Sequence, residues 1–357
     1  MFEEDDCIID RKLNVAMTRA KEHLIMFGNP ALLANNITFY KLMEFVKSKH
    51  GYFSIDLKDY LRGDFEVPKL EKDLDLSQAT FLLSHKYEEA FNQCVLDPIR
   101  NDHRTEWPDI ILGRDMSSNL DAIGYGRINF SNQLNVFATH ISPKEQVLIY
   151  CYYIMRMHYC SSKTIFNSYK AWLKNLIDAF GGRLHFIDIG CGPATCGIAF
   201  AETFNNLSSD MLYTGIDVSV EMKSMGKQLI KNVFQDQLRY RFISTFGEIS
   251  NDNWLSISEI PSFIIFNLSY VFSNLDSRFT ENLAQKITES IKRFTLNKYI
   301  FIIQHSECDK KLNTYKIFKR IISPYVKVYK AEDSEFRYQL NYKERSRAFS
   351  YEILISK

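Results

Sequence analysis

The segment that decides the fold reads Phe186-Ile-Asp-Ile-Gly-Cys-Gly-Pro-Ala-Thr195. Its apolar first half predicts a buried β-strand, and the closely spaced Gly190 and Gly192 predict a tight turn that opens into a helix. Glycine tolerates left-handed backbone conformations and lets a ligand approach the main chain closely. The first amides of the following helix point toward such a ligand, so the segment predicts a binding loop at a strand end.

A second motif follows at the end of the next predicted strand. The chain there reads Tyr213-Thr-Gly-Ile-Asp217, and a carboxylate at the end of a second strand can accept both hydroxyls of a ribose. Dinucleotide sites usually carry Gly-x-Gly-x-x-Gly, but Thr195 stands where the third glycine would be. The two motifs together predict a ribose-bearing ligand, with a dinucleotide as the less favoured one.

Apolar runs alternate with amphipathic helical stretches throughout the C-terminal half. These runs occupy residues 184–189, 211–216, 240–244, 263–268 and 299–303, and a terminal strand pair is predicted at 325–329 and 349–355. Alternating strands and helices favour an α/β fold with a parallel, doubly wound sheet. We therefore predict a Rossmann-like, seven-stranded sheet for residues 183–357.

The two motifs resemble those of class I S-adenosylmethionine-dependent methyltransferases. Asp188-Ile-Gly-Cys-Gly-Pro is similar to motif I of that family, and Gly215-Ile-Asp-Val-Ser is similar to motif II. The resemblance covers about half the chain and implies S-adenosylmethionine as the cofactor. It implies that Gly190 and Gly192 line the methionine and ribose, and that Asp217 holds the ribose hydroxyls. It also implies that Asp188 either orders the loop or contacts the cofactor's amino group.

The later positions depart from the family pattern. The third strand is followed by Thr245-Phe-Gly-Glu248, without the usual aspartate beside adenine, so Glu248 is the candidate for that contact. The fourth strand ends in Asn267-Leu-Ser-Tyr270, which lacks the two prolines of enzymes that methylate amino groups of nucleic-acid bases. An adenine or cytosine amino-methyltransferase is therefore not predicted. A Rossmann-like domain that keeps the turn without this cofactor is the remaining alternative.

No side chain is singled out by the sequence as catalytic. Methyl transfer from an activated sulfonium needs mainly the alignment of donor and acceptor. The candidates at predicted strand ends are Asn267, Tyr270 and His305, of which His305 could act as a base near neutral pH. A histidine at a strand end is more often structural. The seven cysteines contain no Cys-x-x-Cys pair, so we expect no metal site.

The N-terminal block carries a different signature. Asp10-Arg-Lys-Leu-Asn-Val-Ala-Met-Thr-Arg-Ala-Lys21 resembles the last conserved motif of superfamily-one helicases of the Upf type, and residues 39–46 resemble the helix that follows it. The resemblance implies that Arg19 is an arginine finger for a γ-phosphate. A phosphate-binding loop and a paired Asp-Glu metal site are missing from the sequence. We expect a helicase tail, from a longer helicase–methyltransferase or from a split or truncated reading frame, without ATPase activity of its own.

The chain divides by composition into four parts. Residues 1–55 form the helicase-like fragment, and 56–76 form a charged linker, since eleven of residues 56–75 are charged. Residues 77–182 are predicted to be mostly helical, and 183–357 form the sheet domain. Within the helical part, Ser142-Pro-Lys-Glu145 predicts a capped helix start, and another helix is predicted from 163 to 180.

The charge balance limits the partners that can be predicted. The formal net charge is +1, from 44 basic and 43 acidic residues, which gives no overall attraction to nucleic acid or to an anionic membrane. The acidic N-terminus is unlike a signal peptide, and the longest apolar run is too short for a bilayer, so we expect a cytoplasmic protein without a membrane partner.

The helicase-like motif favours nucleic acid, or the missing helicase portion, as the partner. Three functions stay open. The first is a methyltransferase acting on nucleic acid or on a nucleic-acid-associated protein. The second is a non-catalytic module that binds the cofactor or a partner, and the third is a small-molecule methyltransferase.

Overall fold

The structure is a computed structural model that describes residues 37–48, 84–136, 139–179, 184–204, 211–244, 263–293, 297–306, 312–340 and 343–357. The chain forms two compact units, Met1–Phe65 and Glu66–Lys357. In the first unit the structure describes helix α1 (Ile37–Ser48), which lies where the apolar spacing after Phe39 predicts a helix. Arg19 and its motif, the charged segment 56–76 and Glu248 lie outside the described residues.

A seven-stranded sheet forms the centre of the second unit. Its strands are β3 (Leu184–Ile189), β4 (Met211–Ile216), β5 (Arg239–Ile243), β6 (Phe263–Ser269), β7 (Lys298–His305), β8 (Val326–Leu340) and β9 (Lys343–Ser356). The spatial order is β5-β4-β3-β6-β7-β9-β8, in which only β9 runs antiparallel to both of its neighbours. The prediction of a Rossmann-like α/β fold is confirmed. The strand order reverses between β3 and β6, which is where doubly wound sheets bind their ligands.

Helices cover both faces of this sheet. Before it come α2 (His85–Phe91), a π-helical turn (Asn92–Leu96), α3 (Asp97–Arg100), α4 (Met116–Ala122), a 3-10 turn (Gly124–Gly126), the short hairpin β1 (Leu134–Val136) and β2 (Thr139–Ile141), α5 (Pro143–Tyr150), a second π-helical turn (Cys151–Met155), α6 (Arg156–Ser168) and α7 (Lys170–Ala179). Between the strands lie α8 (Thr195–Thr203), α9 (Val220–Phe234), α10 (Ser277–Arg293) and α11 (Asn313–Ile322). None of the described helices is long and apolar enough to cross a membrane.

Helix α5 begins at the predicted capping box. The Glu145 amide donates to the Ser142 hydroxyl oxygen at 3.3 Å, and the Glu145 carboxylate accepts from the Ser142 amide at 2.8 Å. Pro143 occupies the first turn, where its missing N–H costs nothing. The helix predicted from 163 to 180 is instead two helices that break at Tyr169. There the tyrosine side chain enters the core and its hydroxyl contacts that of Tyr351 at 2.8 Å.

The apolar side chains form two clusters, one on each face of the sheet. One cluster continues from the helical region through α8 and α9 to the inner residues of β3, β6 and β7. The other lies between the opposite face and helices α10 and α11. Tyr152, Tyr153 and Trp172 are buried in the first cluster. Residues 84–179 and the sheet therefore share one hydrophobic core.

Candidate functional site

The loop after β3 has the backbone that its glycines predict. Gly190 and Gly192 have φ of +68° and +52°. A Cβ at Gly190 would lie 2.6 Å from the Val271 side chain, so no larger residue fits there without movement. Around Gly192 the nearest atoms to such a Cβ are the Tyr150 Oη at 3.9 Å and the Met222 Sδ at 4.0 Å. A Cβ at Gly192 would therefore make only ordinary van der Waals contacts, unlike one at Gly190.

Asp217 joins the second motif to the first. Its carboxylate accepts from the Gly192 amide and from the Ser219 amide, both at 2.9 Å. The Gly190 amide also donates to the Ile216 carbonyl oxygen at 2.9 Å. Burial raises the pKa of Asp217, although these two amides act in the opposite direction. Each carboxylate oxygen has accepted one hydrogen bond and retains a lone pair, so the group can still accept ribose hydroxyls.

The Asp188 side chain is buried beneath the glycine loop and does not face the cleft between the loops that follow β4 and β6. It is 1% exposed, and it accepts from the Asn267 amide nitrogen at 2.7 Å and from the Tyr213 hydroxyl at 3.2 Å. Burial raises the pKa of Asp188 to about 7 despite these hydrogen bonds. Of the two roles that the resemblance implies, the geometry favours the ordering of the loop.

Thr195 begins helix α8 directly after the loop and holds an unsatisfied hydroxyl. The residue is 3% exposed, and its Oγ1 makes no hydrogen bond to any residue that the structure describes. A buried hydroxyl without a partner costs about 1–3 kcal/mol, which a ligand oxygen would recover. The N-terminus of α8 lies at the same end and favours an anion. The loop thus fits a ligand that carries a carboxylate and a ribose, as S-adenosylmethionine does.

A row of buried polar side chains crosses the carboxyl edge of the sheet from Asp188. Asn267 accepts from the Ser269 hydroxyl at 3.0 Å, and Ser269 in turn accepts from the Gln304 amide nitrogen at 2.8 Å. The Gln304 amide oxygen accepts from the Ser161 hydroxyl at 3.1 Å. The four strand residues of this row share the face that is covered by α6 and α8, because alternate residues of a strand point to the same side. We call these five residues the polar row.

The polar row ends at a cluster of aromatic rings. Tyr270 follows β6 with a φ of +57°, and its hydroxyl donates to Ser161 at 3.2 Å. Its ring stacks on His158 with centroids 4.1 Å apart and an angle of 8° between the planes. The His158 Nδ1 lies 3.1 Å from the hydroxyl of Tyr150, and this hydroxyl oxygen lies 3.9 Å from the position of a Cβ at Gly192. Burial lowers the pKa of His158 to about 4, so the ring is neutral at pH 7.

A strap of residues 124–130 joins the two sides of this cleft. On one side the Gly126 carbonyl oxygen accepts from Asn274, in the loop after β6, at 3.2 Å. On the other side the Phe130 carbonyl oxygen accepts from Ser219, in the loop after β4, at 3.4 Å. The strap therefore spans the loops that follow the two strands flanking β3.

The structure separates the three catalytic candidates. Asn267 is fully buried and uses both ends of its amide, one on Asp188 and one on Ser269, so it does not face an acceptor. His305 is also fully buried, with its ring packed between Phe272 and Tyr315. Strand alternation turns His305 toward helices α10 and α11, a placement that favours the structural role over that of a base. Tyr270 is half-buried at the strand end and remains a candidate.

Three residues of this site were not singled out in the sequence. His158 and Ser161 lie on a helix that is far from both motifs in the sequence. Gln304 directly precedes His305. Helical spacing places His158 and Ser161 on one face of α6, but no local pattern indicates which strand that face contacts. Only the three-dimensional arrangement brings them to the cleft.

No protein-family model matches the chain, and no curated protein matches it. Among solved structures, the O-methyltransferase from Bacillus cereus in complex with SAH is 12% identical, with a TM-score of 0.37, over 79% of this chain and 95% of that one. Magnesium protoporphyrin IX methyltransferase from Synechocystis PCC 6803 with bound SAH is 14% identical, with a TM-score of 0.35, over 67% and 97%. Precorrin-6y C5,15-methyltransferase from Geobacter metallireducens GS-15 is 11% identical, with a TM-score of 0.33, over 50% and 85%. At such scores the fold assignment rests on the strand order.

Proposed function

We propose that the second unit is an S-adenosylmethionine-dependent methyltransferase. The observation that carries the proposal is the hydrogen bond from the Gly192 amide to Asp217, which joins the two motifs at the carboxyl ends of β3 and β4, beside the switch point of the sheet. When bound, the cofactor supplies a methyl group on a positively charged sulfur, which makes that methyl electrophilic. The protein then has to bind this cofactor, orient the acceptor and exclude water.

Each part of the site has a role in this proposal. Asp217 accepts the ribose hydroxyls, and the exposed side chain of Val218, which is 60% accessible, offers apolar surface to the purine. Thr195 and the first amides of α8 hold the methionine carboxylate. Asp188 fixes the loop from below through its hydrogen bond with Asn267. The contact of Glu248 with adenine stays a prediction.

The acceptor is proposed to be nucleic acid or a nucleic-acid-associated protein. The support is the resemblance of residues 10–21 to a helicase motif, which is an association and not a contact. The same resemblance makes the missing helicase portion a proposed partner. A small-molecule acceptor and a non-catalytic binding module are the competing outcomes of the experiment below.

Calorimetry with S-adenosylhomocysteine tests cofactor binding. We expect binding in the micromolar range as an order of magnitude, and Asp217→Ala should weaken it by roughly 1–3 kcal/mol through the loss of charge-assisted hydrogen bonds. Asp115→Ala is the matched control, because Asp115 also accepts from a backbone amide, that of Ser118, at 2.7 Å. It should leave the affinity unchanged. Absence of heat at millimolar ligand, with the protein folded by circular dichroism, would refute the proposal.

Transfer of a labelled methyl group identifies the acceptor class. Purified chain and labelled S-adenosylmethionine are incubated separately with total RNA, DNA, protein and small-molecule extracts. Label in RNA, DNA or protein supports the proposed acceptor, and label confined to the small-molecule pool contradicts it. Cofactor binding without transfer to any pool would favour the non-catalytic module.

A further inference from the structure

His158 occupies a position between the proposed cofactor loop and the end of β6. On one side its Nδ1 contacts the Tyr150 hydroxyl, whose oxygen lies 3.9 Å from the position of a Cβ at Gly192. On the other side its ring stacks on Tyr270, the first residue after the strand. The described residues offer no hydrogen bond to its Nε2, and this atom is not among the buried ones without a partner, so it is accessible.

We propose that His158 is the base that takes a proton from a methylated nitrogen acceptor. This inference rests on the proposed methyltransferase function. Nδ1–H donates to the Tyr150 oxygen, which leaves the lone pair of Nε2 directed to the acceptor. Tyr150 is thus the positioning residue, in the arrangement of a base oriented by a third group. Tyr270 stacks flat on the ring and stabilises the imidazolium that forms.

The atoms and charges of the step balance. The lone pair of the acceptor nitrogen forms the N–CH3 bond while the S–CH3 bond breaks, and the bonding electron pair stays on sulfur. The nitrogen becomes positively charged and acidic, and its hydrogen passes as a proton to Nε2 of His158. Water in the cleft then takes the proton from the imidazolium and restores the neutral ring.

The environment of His158 selects a nitrogen acceptor over an alcohol. The pKa of about 4 makes the ring a weak base, which cannot remove a proton from a hydroxyl before transfer. A neutral N–H group attacks through its own lone pair and becomes acidic as the N–CH3 bond forms, so a weak base can take the proton in the same transition state. Among the residues that the structure describes, the titratable side chains that contact the ring are Tyr150 and Tyr270.

Nuclear magnetic resonance of the full chain, labelled with 15N-histidine, tests the inference without an acceptor. Long-range 1H–15N correlation distinguishes the two neutral tautomers, and His158→Gln identifies the His158 signals by their loss. We expect the Nδ1–H tautomer at pH 7 and protonation near pH 4. Tyr150→Phe should shift the ring toward the Nε2–H tautomer. A ring that carries its proton on Nε2 in the native chain would overturn the proposal, because Nε2 would then be a donor.

His185 is the matched control within the same spectra. It is a buried histidine whose Nε2 contacts Thr214 at 2.8 Å, and its signals should not respond to Tyr150→Phe. With the methylated pool as acceptor, His158→Gln should lower the methylation rate by about 10²–10⁴-fold while the affinity for S-adenosylhomocysteine stays nearly constant. An unchanged rate would overturn the assignment. If the native chain does not bind S-adenosylhomocysteine, the proposed function is refuted, whereas the measured tautomer of His158 remains valid.

Discussion

The two faces of the sheet differ sharply at its carboxyl edge. On the face under α6 and α8, Ser269 and Gln304 belong to the continuous polar row. On the opposite face, the neighbouring Leu268 and His305 are enclosed by the side chains of α10, α11 and Phe272. Adjacent residues of one strand thus have opposite surroundings. The difference teaches that the chemistry of this fold is confined to one face, while the other supplies stability.

The largest expected loss of stability comes from a substitution on the face that packs against α10 and α11. Phe266 is fully buried and stacks between Tyr299 and Phe301, with centroids 6.2 Å and 5.2 Å away. Phe266→Ala should lower the free energy of unfolding by about 3–5 kcal/mol, through lost burial and the cavity it leaves. Chemical denaturation measures this loss. The folded fraction should bind S-adenosylhomocysteine with native affinity, and a large loss of affinity would show that the two faces are not separable.

Gln304→Leu tests the polar row, because leucine is similar in size to glutamine but forms no hydrogen bonds. Gln304 is fully buried and hydrogen-bonds to Ser161, Ser162 and Ser269, whose hydroxyls would lose this partner. We expect a loss of about 2–3 kcal/mol in the free energy of unfolding, because buried polar groups without partners are costly. Urea denaturation beside the native chain measures it. Equal or greater stability of the variant would mean that the polar row does not hold this edge together.

His185 lies on the face that packs against α10 and α11, and it makes the free energy of unfolding depend on pH. Burial, with a further contribution from Arg241, lowers the pKa of His185 to about 3, whereas the unfolded value is near 6.5. Below pH 6.5 the unfolded chain takes up a proton that the folded chain does not, so stability falls as the pH falls toward 3. Between pH 7 and pH 5 the native chain should lose roughly 1–2 kcal/mol more than His185→Asn.

Thermal or urea denaturation at both pH values measures this difference. Comparison with the variant removes the common contribution of Asp188, whose raised pKa has the opposite sign and lowers stability as the pH rises from 3.8 toward 7. Identical pH dependence of the native chain and the variant would contradict the prediction.

Ser269→Ala should have the smallest effect, about 1 kcal/mol, because it removes one link of the polar row. The Ser269→Ala variant is most informative when it is combined with Gln304→Leu. Since the two side chains are hydrogen-bonded, a double-mutant cycle should show a coupling of about 0.5–3 kcal/mol. Strictly additive losses would indicate that the polar row is a set of independent contacts.

The sequence was informative where one local pattern determines the structure. β3 and β4 have the bounds that their apolar runs predict, and Ser142 caps α5 as the capping box requires. The spatial meeting of Gly192 and Asp217 also follows from the two motifs, since carboxyl ends of adjacent parallel strands share one edge.

What the sequence did not reveal depends on contacts between distant segments. A strand that is buried on both faces has no hydrophobic alternation, so nothing local indicates that Gln304 and not His305 faces the cleft. His158 reaches the site only because α6 crosses that face of the sheet. The break at Tyr169 likewise depends on a tertiary contact, the hydroxyl pair with Tyr351, which helical propensity does not include.

The strap gives the cleft a route for exchange. Two hydrogen bonds of 3.2 Å and 3.4 Å, both at the long end of the normal range, tie it to the loops after β6 and β4, and the Phe130 side chain also packs in the core against Tyr150. Opening these two contacts disturbs neither the sheet nor the polar row. If the cleft binds a ligand as proposed, we expect spent ligand to leave by local opening of residues 124–130 and not by unfolding of the whole unit. Turnover would then be limited by the lifetime of the Asn274 and Ser219 contacts, and residence time becomes adjustable without altering any group that touches the ligand.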